Sequence, residues 1–317
     1  MTPDHPFSPI DVLASTLGFL ASRDPAMVVL DAEVAENSVL GSFPSDYPQQ
    51  FVKTGFSERD TVLLAAGLSL SGRNVFVCSQ SAFLVPRAYD AIRTAVAIPS
   101  LPVRFLLTHS GLTAGADGAT LQIIEDLAFL RALPNVSIVV PSDGLSTRKL
   151  VEGSFESKGP VFFRLSALPL PGLERPAGLD FHPGGASMLR EGDGVTICAC
   201  GTMVHEALRA SAILSQQGIE AEVIDCYSIK PLPAQAITAS VRRTGCCVVA
   251  EEHNSSGGLG GAVAELLCQS SPVPIKFVSV QDRFGQSGGA EELLEYYGLS
   301  FKEILSAVSQ AWTMRRR

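Results

Sequence analysis

The chain has 317 residues, a formal net charge of -8 at pH 7, 46% hydrophobic and 18% charged residues. That length suits two compact domains with sizeable cores, and the acidic balance excludes a general nucleic-acid binder. The basic cluster Arg315-Arg316-Arg317 reads as a solvated tail.

In chain order, a helix is predicted over 8–22, with Ser8 as its cap and Pro9 in its first turn. Residues 27–30 read as a buried strand ending at Asp31, and 32–50 as an acidic loop rich in Pro and Ser. A short extended run from Phe51 meets Gly55, and a helix opens at Ser57 with Glu58 at its start. Ser57 is expected to cap orphan amides, and an acid favours the positive end of a helix dipole. No charge occurs from Thr61 to Ser71, so this helix is expected to be buried on most sides. Strands are predicted at 74–78, 103–108, 136–140 and 161–165, and helices at 83–97, 120–133 and 145–155. Uninterrupted apolar strands alternating with helices predict an α/β fold built on a parallel sheet covered on both faces. Ligands gather at the carboxyl ends of such strands, where Asp31, Glu58, Phe83, His109 and Asp117 fall.

From 167 to 185 the pattern collapses, and Pro169, Pro171, Pro176 and Pro183 with several glycines mark a linker. The expected division is a first domain at 1–168, a linker at 169–186 and a smaller α/β domain at 187–317. The second domain is expected to carry strands at 195–200, 221–226, 247–250 and 275–280. Its helices are placed at 202–217, 232–243 and 259–269, with two more closing the chain.

Seven cysteines (Cys78, Cys198, Cys200, Cys226, Cys246, Cys247 and Cys268) form no C-x-x-C pair. Most lie in apolar runs, where cysteine acts as a small hydrophobe. The odd count predicts a reducing, cytoplasmic setting. No signal peptide or membrane span is expected.

Gly201 and the run Gly257-Gly-Leu-Gly-Gly261 each precede a predicted helix, but neither matches a P-loop or a dinucleotide fingerprint, so structural turns are the better reading. Glu251-Glu-His-Asn254 reads as a polar strand end, and the five histidines show no zinc spacing. No G-x-S-x-G elbow is present. Acids and a histidine without an obvious nucleophile point to borrowed reactivity, meaning a cofactor.

Several blocks fall in order along the chain. They are Gly55-Phe-Ser-Glu-Arg59, Arg87-Ala-Tyr-Asp-Ala-Ile-Arg93, the run from Thr108-His-Ser-Gly to Asp117-Gly-Ala-Thr120, and Glu125-Asp-Leu-Ala-Phe-Leu-Arg-Ala-Leu-Pro-Asn135. Then come Ser228-Ile-Lys-Pro-Leu232, Glu251-Glu-His-Asn254 with Gly257-Gly-Leu-Gly260, and Asp282-Arg-Phe-Gly-Gln-Ser-Gly288. Together they resemble the C-terminal two-thirds of transketolase, a pyrimidine-binding domain followed by the transketolase C-terminal domain, which is a separate subunit in several lineages.

The resemblance implies thiamine diphosphate. In the resembled enzymes a glutamate in the place of Glu58 hydrogen-bonds N1′ of the aminopyrimidine and favours its imino tautomer, whose 4′ nitrogen takes a proton from the thiazolium carbon. A carboxyl group in that role must resist full ionisation, and an apolar helix behind it would help by desolvation. By the same resemblance Phe83 stacks on the pyrimidine ring, His109 and Asp117 face the substrate, and Asp31 is an acid near the cofactor. His109 and Glu58 are the catalytic candidates.

The departures are as informative. Leu121 stands where transketolases carry a second substrate-facing histidine, Ala167 where they carry a phosphate-binding arginine, and Gln80 where an aromatic is common. Losing a cationic phosphate clamp argues against an ordinary sugar phosphate, with Arg164 as a weaker stand-in. Asp117-Gly118 and Asp143-Gly144 lack the G-D-G pattern that holds the diphosphate and Mg2+. The chain is therefore expected to be catalytic only with a diphosphate-binding partner subunit that carries the Mg2+. The expected assembly is an α2β2 heterotetramer through a homodimer of this chain. The alternatives are a 2-oxoacid dehydrogenase β subunit and a non-catalytic regulatory subunit.

Overall fold

The computed structural model describes residues 8–32, 39–176 and 178–315. His5, residues 33–38 of the acidic loop, and Arg316 and Arg317 of the basic tail lie outside the described residues. The first half contains α1 (Leu13–Ala21), β1 (Met27–Asp31), α2 (Phe43–Asp46), β2 (Phe51–Lys53), α3 (Glu58–Leu70), β3 (Asn74–Gln80) and α4 (Ser81–Ala91). It continues through β4 (Val103–Thr108), α5 (Asp126–Arg131), β5 (Ser137–Val139), α6 (Gly144–Gly153) and β6 (Val161–Arg164). The second half contains β7 (Ser187–Arg190), β8 (Val195–Ala199), α7 (Met203–Gln216), β9 (Ala221–Asp225), β10 (Ser228–Lys230) and α8 (Ala234–Thr244). It ends with β11 (Cys247–Asn254), α9 (Leu259–Ser270), β12 (Ile275–Val280), α10 (Ala290–Tyr296) and α11 (Phe301–Met314).

Two sheets result, both mainly parallel and sandwiched by helices. The first runs β10-β5-β6-β4-β3-β1-β2 and the second β12-β11-β8-β9-β7. β1, β4 and β6 are buried along their whole length, as continuous apolar runs require. Among the described strands, only β10 and β7 run antiparallel to their neighbours. Both escaped the sequence reading because they are short and lack a long apolar run. β10 belongs to the second half of the chain yet pairs with β5 of the first sheet, covering an edge that would otherwise expose unpaired backbone groups.

Three expected elements are corrected. The first helix begins at Leu13, after a turn in which Ser8 Oγ accepts from the Asp11 amide at 3.2 Å. The helix expected over 120–133 is confined to α5, because the preceding backbone is committed elsewhere. The Ile124 carbonyl accepts from the Asn254 amide at 2.7 Å, and the Gln122 side chain turns inward. Finally, α3 is not buried on most sides. One face, with Val62, Ala65 and Ala66, packs inward, while Leu63, Leu64 and Leu70 are 44%, 42% and 73% exposed.

Candidate active site

The carboxyl ends of β1, β2, β3 and β4 share one edge of the first sheet, and the chain leaves them at Asp31, towards Glu58, towards Phe83 and at His109. The approach to Glu58 is pinned by hydrogen bonds. The Asp31 carbonyl accepts from the Thr54 amide at 2.9 Å and from Thr54 Oγ1 at 3.1 Å, and Thr61 Oγ1 donates to Thr54 Oγ1 at 2.7 Å. Gly55, at φ +71°, supplies the left-handed turn between β2 and α3. Asp31 is itself buried.

Glu58 opens α3 and is 4% exposed. Its Oε1 accepts from Arg87 Nη1 at 3.1 Å. Arg87 lies four residues beyond the half-buried Phe83 on α4, about one helical turn. Its guanidinium stands over the Phe83 ring, 4.3 Å from the centroid. Glu58 and Phe83, from different helices, are therefore bridged by one planar cation. Ser57 does not cap the helix as expected. Its hydroxyl donates to Asp60 Oδ2 at 2.6 Å and accepts from none of the first amides of α3.

One strand over, His109 follows β4 with φ +48°. A histidine in the left-handed region is uncommon and persists only where its surroundings hold it. Here the next amide, that of Ser110, donates to the Leu165 carbonyl at 3.1 Å. His109 Nδ1 is buried without a hydrogen-bond partner. Burial lowers the imidazole pKa, and the negative charge of Asp117 opposes that shift. Asp117 is exposed at the end of the tight turn Gly111–Asp117. Leu121 is half-buried just beyond, its amide donating to the Gly118 carbonyl at 3.0 Å.

The second half of the chain grips this turn. The Thr113 amide donates to Glu252 Oε1 at 2.9 Å, and Gln122 Nε2 donates to the Gly115 and Gln286 carbonyls at 2.7 and 2.9 Å. Gly111, at φ +80°, leaves the space that a Cβ would take from Glu252 and Arg164. Burial pushes the Glu252 carboxyl above its ordinary pKa, while Arg164, the Thr113 amide and the Thr202 hydroxyl pull it down.

Arg164 is corrected as a candidate substrate clamp. It is 5% exposed, and its Nε donates to Asp126 Oδ1 and Oδ2 at 3.0 and 2.9 Å. The adjoining cavity between the two halves, lined by Arg164, Thr202 and Glu252 among others, is about 10 Å³ and can hold a water but no substrate.

Gly257 and Gly258 of the glycine run turn the chain, and residues 259–261 already belong to α9, so the run is structural, as its sequence suggested. Glu251 accepts from the Leu259 and Gly260 amides at 2.6 and 2.7 Å, so the chain's own carboxylate fills the anion position at the start of α9. Lys230 Nζ donates to the Arg131 and Leu133 carbonyls, and Arg131 Nη1 donates to the Gly257 carbonyl at 2.7 Å. The blocks at 228–232 and 251–260 thus dock the second half onto α5.

Sequence reasoning missed Arg87, Gln122, Asp126 and Glu252. Arg87 had a signal, its spacing of one helical turn from Phe83. Asp126 and Glu252 meet their partners only through long-range packing, and Gln122 ties the nearby Gly115 carbonyl to that of distant Gln286.

Family models match the pyrimidine binding domain of transketolase over residues 7–171 and its C-terminal domain over residues 184–304. The chain is 37% identical over 297 residues to a putative transketolase C-terminal section from Methanocaldococcus jannaschii, covering 93% of each. It is 36% identical to an apulose-4-phosphate transketolase subunit of Phocaeicola vulgatus, covering 91% of this chain and 92% of that one. It is likewise 36% identical to a 6-deoxy-6-sulfo-D-fructose transketolase subunit of Clostridium sp., covering 92% of this chain and 90% of that one. A solved split gene transketolase, an inactive beta4 tetramer, superposes with a TM-score of 0.89 at 36% identity, over 98% of this chain and 100% of that one.

Proposed function

The chain belongs to the transketolase family, and we propose that it is the pyrimidine-binding subunit of a split, thiamine diphosphate-dependent carboligase that transfers a two-carbon ketol or acyl unit. Its domain division on this reading is that of the sequence, with the linker at 169–186. The observation that carries the reading is the bridge between Glu58 and Phe83. A planar, hydrogen-bond-donating group lies on the Phe83 ring and reaches the buried carboxylate. An aminopyrimidine presents the same combination of a flat face and a polar edge, so the residues present fit the ring of thiamine diphosphate.

When bound, that cofactor supplies the reactive thiazolium carbon. Glu58 holds the proton at N1′ of the pyrimidine, and Phe83 provides the stacking face. Asp31 supports the cofactor side through its grip on Thr54. His109, at the carboxyl end of β4, faces the substrate on this reading, with Asp117 close enough to act on its charge and Leu121 just beyond the same turn. The diphosphate and its Mg2+ fall to a partner subunit.

The outward leucines of α3, with Phe56 at 65% exposure, form an apolar face beside Glu58 that suits an interface between copies of this chain. On this reading two copies and two partner subunits build an α2β2 enzyme. The similar split gene transketolase is inactive as a beta4 tetramer, which supports the need for a partner. Free thiols at all seven cysteines support a cytoplasmic setting. Among the described residues no helix is long and apolar enough to cross a membrane.

The substrate is not an ordinary sugar phosphate. Ala167 and Leu121 supply no charge, and Arg164 is engaged internally. Relatives named for apulose 4-phosphate and 6-deoxy-6-sulfo-D-fructose support atypical partners. The test is Glu58→Gln in the complex reconstituted with the diphosphate-binding partner: a collapse of turnover is expected, and unchanged turnover would sink the catalytic reading. Kinetics with xylulose 5-phosphate matching an ordinary transketolase would overturn the substrate assignment.

A further inference from the structure

Three buried charged residues from separate parts of the chain meet behind the candidate site. Asp126 begins α5, Arg164 ends β6, and Glu252 lies on β11 of the second sheet. On one side, Ser81 Oγ donates to Asp126 Oδ2 at 3.0 Å, and Ser81 opens α4 two residues before Phe83. Arg164 joins the two carboxylate-bearing segments, with Nε on Asp126 and Nη2 donating to the Glu252 carbonyl at 2.9 Å. On the other side, the Glu252 carboxylate accepts from the Thr113 amide at 2.9 Å and the Thr202 hydroxyl at 3.1 Å. Thr113 lies in the turn between His109 and Asp117, and its hydroxyl is tied to the Ser110 carbonyl at 3.0 Å and Ser166 Oγ at 3.1 Å.

Burying three charges is a poor way to gain stability, since well-packed apolar side chains do as well or better. The arrangement makes sense as a device for fixing geometry. It forms a hydrogen-bonded path from the start of the Phe83 helix to the turn bearing His109 and Asp117. Each of its ends has its own group of site residues.

We propose that Asp126, Arg164 and Glu252 form a positioning unit that holds the cofactor-facing start of α4 and the substrate-facing turn in register, and that Glu252 is the residue through which the second sheet sets substrate binding. This rests on the proposed roles of Phe83, His109 and Asp117. Its two ends act separately. Loosening Glu252 frees the turn and leaves Phe83 in place. Loosening Ser81 disturbs the cofactor side and leaves the turn held.

The experiment has two readouts. On the full chain alone, hydrogen–deuterium exchange is compared for the wild type, Glu252→Ala, Glu252→Gln and Ser81→Ala. Glu252→Ala is expected to raise exchange across 110–118 about tenfold or more without affecting α4. Glu252→Gln keeps an acceptor opposite the Thr113 amide and is expected to restore protection. In the complex with the diphosphate-binding partner, Glu252→Ala is expected to raise KM for hydroxypyruvate, used as a two-carbon donor probe, about tenfold, with the calorimetric Kd for thiamine diphosphate unchanged. Ser81→Ala is expected to weaken the Kd and spare KM. Unchanged exchange at 110–118 in Glu252→Ala, or Kd and KM moving together in both variants, would overturn the proposal. A wild-type complex that binds no thiamine diphosphate would overturn the proposed function instead, and the exchange comparison would still decide whether Glu252 holds the turn.

Discussion

Arg87 Nη1 lies 3.1 Å from Glu58 Oε1 while its guanidinium covers the Phe83 ring, so the cation stands where a pyrimidine ring held by the same two residues would lie. Cofactor entry on this geometry requires Arg87 to swing away, and at 52% side-chain exposure it has solvent to move into. Such a half-exposed ion pair and cation–π contact together are worth about 1 kcal/mol. In the complex with the partner subunit, Arg87→Ala is therefore expected to tighten thiamine diphosphate binding roughly fivefold, as read by calorimetry. Weaker binding would make Arg87 a cofactor ligand.

His109 titrates below the ordinary histidine value of 6.5 because burial disfavours its cation. If the neutral ring is the working form, the acid limb of kcat/KM lies below pH 6.5. Asp117 raises the His109 pKa, so Asp117→Asn removes that support and is expected to move the limb further to the acid side. A shift towards alkaline pH in the variant would count against the pairing.

The linker is anchored by a buried cluster. Arg175 Nη1 lies 2.9 Å from Asp225 Oδ2, its Nη2 donates to Ser142 Oγ at 2.7 Å, and Asp143 Oδ1 is 3.4 Å away. Arg175→Met would leave two carboxylates buried without their cation, a loss of about 3–5 kcal/mol, measurable by urea unfolding. Residual stability within about 1 kcal/mol of wild type would show that the cluster contributes little.

The same cluster predicts a pH dependence. Burial pushes the Asp225 pKa up from 3.8 to about 6, against the opposing pull of Arg175 and Ser142. Between those values the folded chain keeps a proton that the unfolded chain has released, so stability falls as pH rises. Asp225 thus contributes stability that is fully present below pH 3.8 and lost as the pH passes about 6. Unfolding free energies at pH 4.5 and 7 should show this decline in the wild type, and Asp225→Asn should flatten it.

The apolar face of α3 makes a separate claim. Leu63 and Leu70 are 44% and 73% exposed, so Leu63→Glu with Leu70→Glu should leave the fold intact by circular dichroism. Self-association, followed by sedimentation velocity, is expected to weaken at least tenfold. An unchanged sedimentation profile would remove this face from the interface.

The sequence by itself determined the parallel α/β architecture, because continuous apolar strands and amphipathic helices carry their own periodicities. It also determined which residues stand at strand ends, since Asp31 closes its strand and Glu58, Phe83 and His109 follow theirs within a few positions. Local rules misjudged Ser57, whose hydroxyl found Asp60 rather than the helix amides. They also misjudged the length of the helix after Thr120, where the Ile124 carbonyl accepts from the Asn254 amide in place of an intrahelical partner. Only the tertiary structure decided that Arg164 serves Asp126 and Glu252 rather than a substrate, and that β10 crosses to the first sheet. Buried ion pairs and strand crossovers join residues far apart in the chain, and no local propensity encodes which partner a charge will meet when the two halves pack.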